Sequence, residues 1–218
     1  MRDKRVSNRR RKNKRKRRKQ LFRRIVVCII AVLLVLLAAV EIRKWQDSGG
    51  TEGNVIKRNI PLLFQYDSDW AEENYGDSDM KTAGCAPTCL AMVIRGLTNN
   101  DVTPLDVARF AEENGYYADG VGTQWTLMTE GSRSFDVKGK EIALDETVVM
   151  KHLRKGRPII CSVGPGDFTK EGHFIVLAGV QEGKIIVNDP NSKKRSNRLW
   201  TYENIEGQIK NLWVFQKR

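Results

Sequence analysis

Three reactive residues sit in contexts suited to a single nucleophilic site. Cys85 lies in the run GCAPTCLAM (84–92), His173 in GHFIVL (172–177) and Asp189 in VNDP (187–190). The thiol opens an expected helix, the imidazole opens an expected strand, and the carboxylate closes the strand after it. A thiol, a base and an orienting acid drawn from distant segments are the parts of covalent acyl transfer. The attacking species is the thiolate, which helix N-terminal N–H groups and a neighbouring imidazolium both favour. Gly84 lets the chain turn ahead of Cys85, and Pro87 fixes the first helical turn. The Cys85 backbone N–H then points into the site as a donor for an oxyanion. Trp125 and Gly84 are candidate substrate-binding residues, with the loop 164–168 as a further candidate groove wall.

The chain has only two histidines. His152 lies in MKHLRK (150–155), a basic helical end where a histidine caps carbonyls or faces solvent. His173 begins an apolar strand, where no charge pattern explains it, and a base there needs an acceptor on one ring nitrogen. A hairpin of 174–180 against 184–188, turning about Gln181, pairs position 173 with position 189. That register makes Asp189 the acceptor.

The elements that must hold these groups follow from periodicity. Ile60–Gln65 reads as a short strand, leading into an irregular acidic and aromatic stretch (66–80). Apolar residues at Leu90, Val93 and Ile94 predict a helix from Cys85 to Arg95, with Gly96 as its stop. A second helix starts at Thr103-Pro104 and ends at Gly115. A short third is expected within 123–132. Asp145 caps a fourth with a buried face of Val148, Val149 and Leu153, ending at Gly156. Strands then follow at 158–163, 173–180 and 184–188, a helix at 202–210, and a final strand at 211–215. Helices first and an antiparallel sheet last make an α+β domain, with the Cys85 helix packed on the sheet.

The formal charge of +12 belongs to one end. Residues 1–24 hold fifteen Lys or Arg against the single acid Asp3, and the remaining 194 residues carry a net −2. The folded part is therefore no polyanion-binding surface, and nucleic acid is not an expected partner. The tail sets membrane topology, and it can also attract anionic lipid headgroups at ~1 kcal/mol per basic residue. Residues 25–40 contain no charge, glycine or proline, a length of about 24 Å against a hydrocarbon core of ~30 Å. Snorkelling Arg23 and Arg24, with Ile42 and Trp45 at the far side, complete a span at 25–42. The basic flank predicts a cytoplasmic N-terminus and an extracellular domain, single-pass at the cell membrane. A cleaved signal peptide is the alternative. The weak cleavage site around Leu37-Ala38-Ala39 favours an uncleaved anchor. A flexible stalk (43–58) then leads to one domain (59–218).

Four cysteines are too few for a disulfide scaffold. Cys28 lies in the apolar span, Cys161 reads as a buried core thiol, and Cys85 and Cys89 on one helix fit disulfide geometry poorly. Two histidines and scattered cysteines give no metal-ligand spacing, so neither a metal nor another cofactor is expected.

The motifs GCAPTCLAM, GHFIVLAG and VNDP resemble those of the bacteriocin-processing, double-glycine cysteine peptidases, and more closely the broad bacterial group of papain-like domains related to them. The resemblance spans about Ile60 to Phe215. It implies a papain-like cysteine peptidase fold with Cys85 as nucleophile, His173 as general base and acid, and Asp189 orienting the ring. It also implies an oxyanion-hole glutamine upstream of the cysteine, which Gln65 matches. Transporter-linked peptidases of that kind keep the glutamine nearer and place Asp before and Gly after the cysteine. This chain has Gly84 and Ala86, so double-glycine specificity does not carry over.

The leading expectation is a membrane-anchored, outward-facing cysteine peptidase acting on a peptide or protein substrate. A cell-wall peptide amidase similar to the NlpC or CHAP groups shares the same Cys–His logic. A non-catalytic module binding a partner peptide on the same fold is the third reading.

Overall fold

Runs such as Ile159–Val163, apolar but for Ser162, are buried throughout because both faces of the sheet they build are covered. The computed structural model describes residues 56–57 and 60–218, so the basic tail, the expected span at 25–42 and most of the expected stalk lie outside the described residues. Seven strands form one sheet: β1 (Ile56–Lys57), β2 (Val137–Glu141), β3 (Ile159–Val163), β4 (His173–Gln181), β5 (Lys184–Asn188), β6 (Leu199–Trp200) and β7 (Ile209–Lys217). The order is β6-β5-β4-β3-β7-β2, antiparallel throughout. Strand β4 outlasts β3, and β1 pairs with the free edge at Gly179 and Val180. The sheet thus begins within the expected stalk, at Ile56 rather than after residue 58. Among the described residues, no helix is long and apolar enough to cross a membrane.

Alternate residues divide between two cores. Ile160, Val176, Trp213 and Phe215 face helices α1 (Cys85–Leu97) and α2 (Pro104–Glu113). Ile159, Cys161, Ile175, Leu177 and Val214 face α3 (Glu146–Arg154), Tyr202 and Ile205. This is an α+β domain with helices on both sides of an antiparallel sheet.

Burial, rather than propensity, holds α1. Thr88, Val93, Ile94 and Gly96 are indifferent or poor helix formers, each less favourable than alanine by up to ~1 kcal/mol. Leu90, Met92, Val93 and Ile94 are fully buried, worth about 1.5–3 kcal/mol each. Packing wins. The helix runs through Gly96 to Leu97 and does not stop at the glycine. A Cβ at Gly96 would meet Ile60 Cδ1 at 2.3 Å, so the glycine serves close approach of the 60–65 segment.

That segment is not a strand. Pro61 has no N–H to give a ladder, and its stretch is strapped down by side chains instead. Asn188 Nδ2 donates to the Ile60 and Pro61 carbonyls at 3.1 and 3.2 Å, and Gln65 N donates to Pro190 O at 2.9 Å. Other boundaries also move. Helix α2 carries a full capping box between Thr103 and Asp106 and ends at Glu113. The expected third helix splits into Thr126–Thr129 and a 3₁₀ segment, Gly131–Phe135. Asp145 caps α3 through Val148 N, and Met150 rather than Val148 joins its buried face. The final helix is only Tyr202–Glu206, because β7 begins at Ile209. The edge strands β2 and β6 lie outside the expected elements, β2 because VKGKE is polar and β6 because Leu199–Trp200 is only two residues long.

Candidate active site

Cys85 is the first residue of α1, so its N–H is one of those a helix leaves without a carbonyl partner. The scaffold helices α2 and α3 are closed by Thr103 and Asp145, whereas Gly84, at the N-cap of α1, offers no capping side chain. The positive end of α1 therefore stays available to the thiol. Gly84 has φ −77°, which any residue adopts, so the turn itself does not demand glycine. Packing does: a Cβ there would meet the Met80 carbonyl oxygen at 2.3 Å.

His173 opens β4 opposite Val163, and Asp189 follows directly after β5. The turn between these strands is Glu182-Gly183, both at positive φ, and Gln181 pairs with Lys184. The hairpin is therefore not centred on Gln181, and the expected pairing of 173 with 189 does not occur. Near the turn, Val180 pairs with Ile185. A ladder continued unbroken from there would set Asp189 opposite Val176, on the wrong face for His173. An extra residue at Ala178 intervenes, and beyond it Leu177 pairs with Val187 and Val176 with Asn188. This bulge turns the register by one residue and moves every later side chain to the other face. Continued one step, the ladder sets Asp189 opposite Ile175, diagonal to His173 on the same face, within reach of long side chains.

The contacts close the set. His173 Nε2 and Asp189 Oδ1 are 2.9 Å apart, which leaves Nδ1 for the neighbouring Cys85 thiol. Both partners are buried, Asp189 completely. Burial alone pulls the His173 pKa down, but the hydrogen bonds and charges of Asp189 and Cys85 outweigh it and raise it to about 9. Burial raises that of Asp189, and its bonds to His173 and Arg195 overcome this and hold the carboxyl below its ordinary value. The ring is thus an imidazolium at neutral pH, beside a fixed carboxylate.

These shifts give stability a pH signature. The raised histidine contributes fully below pH ~6.5, and its contribution is lost as pH rises through about 9. The lowered carboxylate contributes above pH ~3.9 and loses its share as pH falls through its folded pKa. Thermal melts should therefore show a midpoint highest between roughly pH 4 and 6.5 and falling on either side. His173→Gln should flatten the alkaline fall, and an unchanged slope in that variant would count against the assignment.

Gln65 is 2 % exposed and lies beside this group through its backbone bond to Pro190. Its Nε2 donates to the Lys81 carbonyl at 2.7 Å, leaving a second N–H unspent. Its Oε1 is buried with no hydrogen-bond partner, a cost of about 1–3 kcal/mol that an incoming donor would remove. Trp125 is 46 % exposed and stands edge-on to Trp213, whose other neighbour, Phe174, adjoins His173. In the loop 164–168, Phe168 is buried against Trp200, and Asp167 is bound by Gln208. His152 stands apart on α3, its pKa lowered by burial and by neighbouring Arg157, Lys155, Lys151 and Lys140.

Sequence reasoning missed Asn188, Arg195 and Ser196. Arg195 Nε donates to Asp189 Oδ2 at 2.5 Å, and the Asp189 N–H donates to Ser196 Oγ at 2.9 Å. The Asn beside the acid in VNDP was the one available signal. Nothing in NSKKRS (191–196) marks its arginine.

The sequence profile of the Peptidase_C39 like family matches residues 57–217. Among solved structures, the peptidase domain of Streptococcus ComA, a bi-functional ABC transporter, is 18% identical over 73% of this chain and 99% of its own, with a TM-score of 0.51. A Bacillus anthracis protein described as a C39-like peptidase is 17% identical over 75% of this chain and 98% of its own, with a TM-score of 0.50. At such identities the likeness is one of fold. No curated protein matches the chain.

Proposed function

Since this chain belongs to the Peptidase_C39 like family, we propose that it is a cysteine peptidase hydrolysing a peptide or isopeptide bond through Cys85, His173 and Asp189. The observation that carries this reading is the buried pair of His173 and Asp189, 2.9 Å apart, beside the Cys85 thiol at the start of α1. The His173 imidazolium favours the Cys85 thiolate, which attacks the carbonyl carbon. The Cys85 N–H and the unspent N–H of Gln65 receive the negative charge that develops on oxygen. His173 then protonates the leaving amine as the tetrahedral centre collapses to a thioester. Neutral His173 next takes a proton from water, whose hydroxide attacks the thioester, and the acid product leaves as the ion pair re-forms. Trp125 offers an apolar surface to the substrate chain.

The reading includes the place of action. The basic tail followed by the apolar run 25–40 supports a single-pass anchor with the peptidase domain outside, acting on peptides or on cell-wall peptide stems. Protease accessibility on intact cells and alkaline extraction of membranes test that arrangement.

Selective alkylation tests the chemistry. Cys89 and Cys161 are fully buried, and burial raises both thiols. Iodoacetamide at pH 6 should label Cys85 at least ~100-fold faster than either, since only the thiolate reacts. Equal labelling of the three would remove the catalytic reading and leave a peptide-binding module.

A further inference from the structure

The one-turn helix Lys193–Ser196 buries none of its residues. A turn that short has no stability of its own. It is held by bonds that converge on Asp189 and Arg195. Arg195 N donates to Ser192 Oγ at 3.2 Å, Trp200 Nε1 donates to Arg195 O at 3.1 Å, and Ser196 Oγ receives the Asp189 N–H. The result is a guanidinium on one oxygen of the acid whose other oxygen meets His173.

We propose that Arg195 sets the proton affinity of His173 by compensating the charge of Asp189, a positioning residue that acts through the acid and not on the substrate. The inference deepens the peptidase reading and rests on it. Compensation, rather than bracing, follows from the other bonds of Asp189. Its Oδ1 also accepts from Asn191 N at 2.8 Å, so the carboxylate stays seated on the ring when the guanidinium is removed. The titratable and charged groups facing this cluster are Cys85 and Cys89 from α1, His173 from β4, and Asp189 and Arg195 themselves. Without Arg195, the full carboxylate field falls on the imidazolium and holds its proton more tightly. A unit charge at this range, screened by the 27% exposure of the arginine, moves a neighbour by about 0.5–1 pH unit.

The test is an NMR titration of the imidazoles in the full-length protein as wild type, Arg195→Gln and Arg195→Lys. With two histidines in the chain, His152→Gln identifies the His173 signals. Arg195→Gln should raise the His173 midpoint by about 0.5–1 unit, and the alkaline limb of any hydrolysis should move with it. Arg195→Lys, which keeps the charge, should leave the midpoint near wild type. An unmoved or lowered midpoint in Arg195→Gln overturns the proposal, because a purely bracing arginine would release Asp189 and weaken its hold on the proton. Should Arg195→Gln not fold, Arg195→Lys carries the test: a midpoint near wild type supports compensation and a clear fall overturns it. The titration needs no turnover. A protein that shows the shifts but cleaves nothing loses the peptidase reading alone, and one that cleaves without the shifts loses this inference alone.

Discussion

Cys85→Ala should leave the fold intact and lower peptide hydrolysis by about four orders of magnitude or more, the usual loss when a residue of such a group is removed. The two effects separate because Cys85 is only partly buried and opens α1, where alanine is a good helix former. Cleavage of a peptide library, compared between wild type and variant at matched thermal stability, measures it. Purified cell wall as a parallel substrate distinguishes a peptidase from a wall amidase. A variant retaining even a tenth of wild-type turnover would show that the sulfur is not the nucleophile.

Asp189→Ala should be damaging in both respects. The carboxylate is fully buried and bonded to His173, Arg195 and the Asn191 N–H. Removing one partner of a buried ionic group strands the other, at about 3–5 kcal/mol. Here a guanidinium and an imidazolium are stranded together. The Ser196 bond to the Asp189 backbone survives the substitution, so the domain should fold with a lowered denaturation midpoint. Turnover should fall roughly ten-thousandfold, because the ring loses both its orientation and the field that keeps it protonated. Urea denaturation alongside steady-state kinetics reads the two losses. Stability within ~1 kcal/mol of wild type would mean that the acid is no part of the core electrostatics.

Much of the candidate site was legible because chemistry restricts residue type. A thiol at a helix start, a histidine leading an apolar strand and an acid ending the next strand stand out against their surroundings. Strands β3, β4 and β5 were also legible, since each is an apolar run bounded by turn residues. What escaped depends on tertiary contact. The 60–65 segment looks like a strand by composition, yet it is tied down by the side chain of Asn188. Gly96 reads as a helix stop, but its missing Cβ makes room for Ile60. The sequence VKGKE gives β2 no apolar face, and only its pairing with β7 makes it a strand. Arg195 sits in a short basic run that looks like any solvated loop. The hairpin register failed first at the turn, which lies at Glu182-Gly183 and not about Gln181, and a bulge at Ala178, which leaves no compositional trace, shifts it once more.

That bulge at Ala178 bears on how chains of this architecture change length. With His173 on one strand and its carboxylate on the next, an odd-numbered insertion or deletion within the paired part of either strand carries the acid to the back of the sheet. An even-numbered one leaves the two groups on a common side. Hairpins of this kind should therefore grow and shrink by pairs of residues during evolution. Where a single residue is gained or lost, a compensating kink like that of Ala178 must appear within the same ribbon.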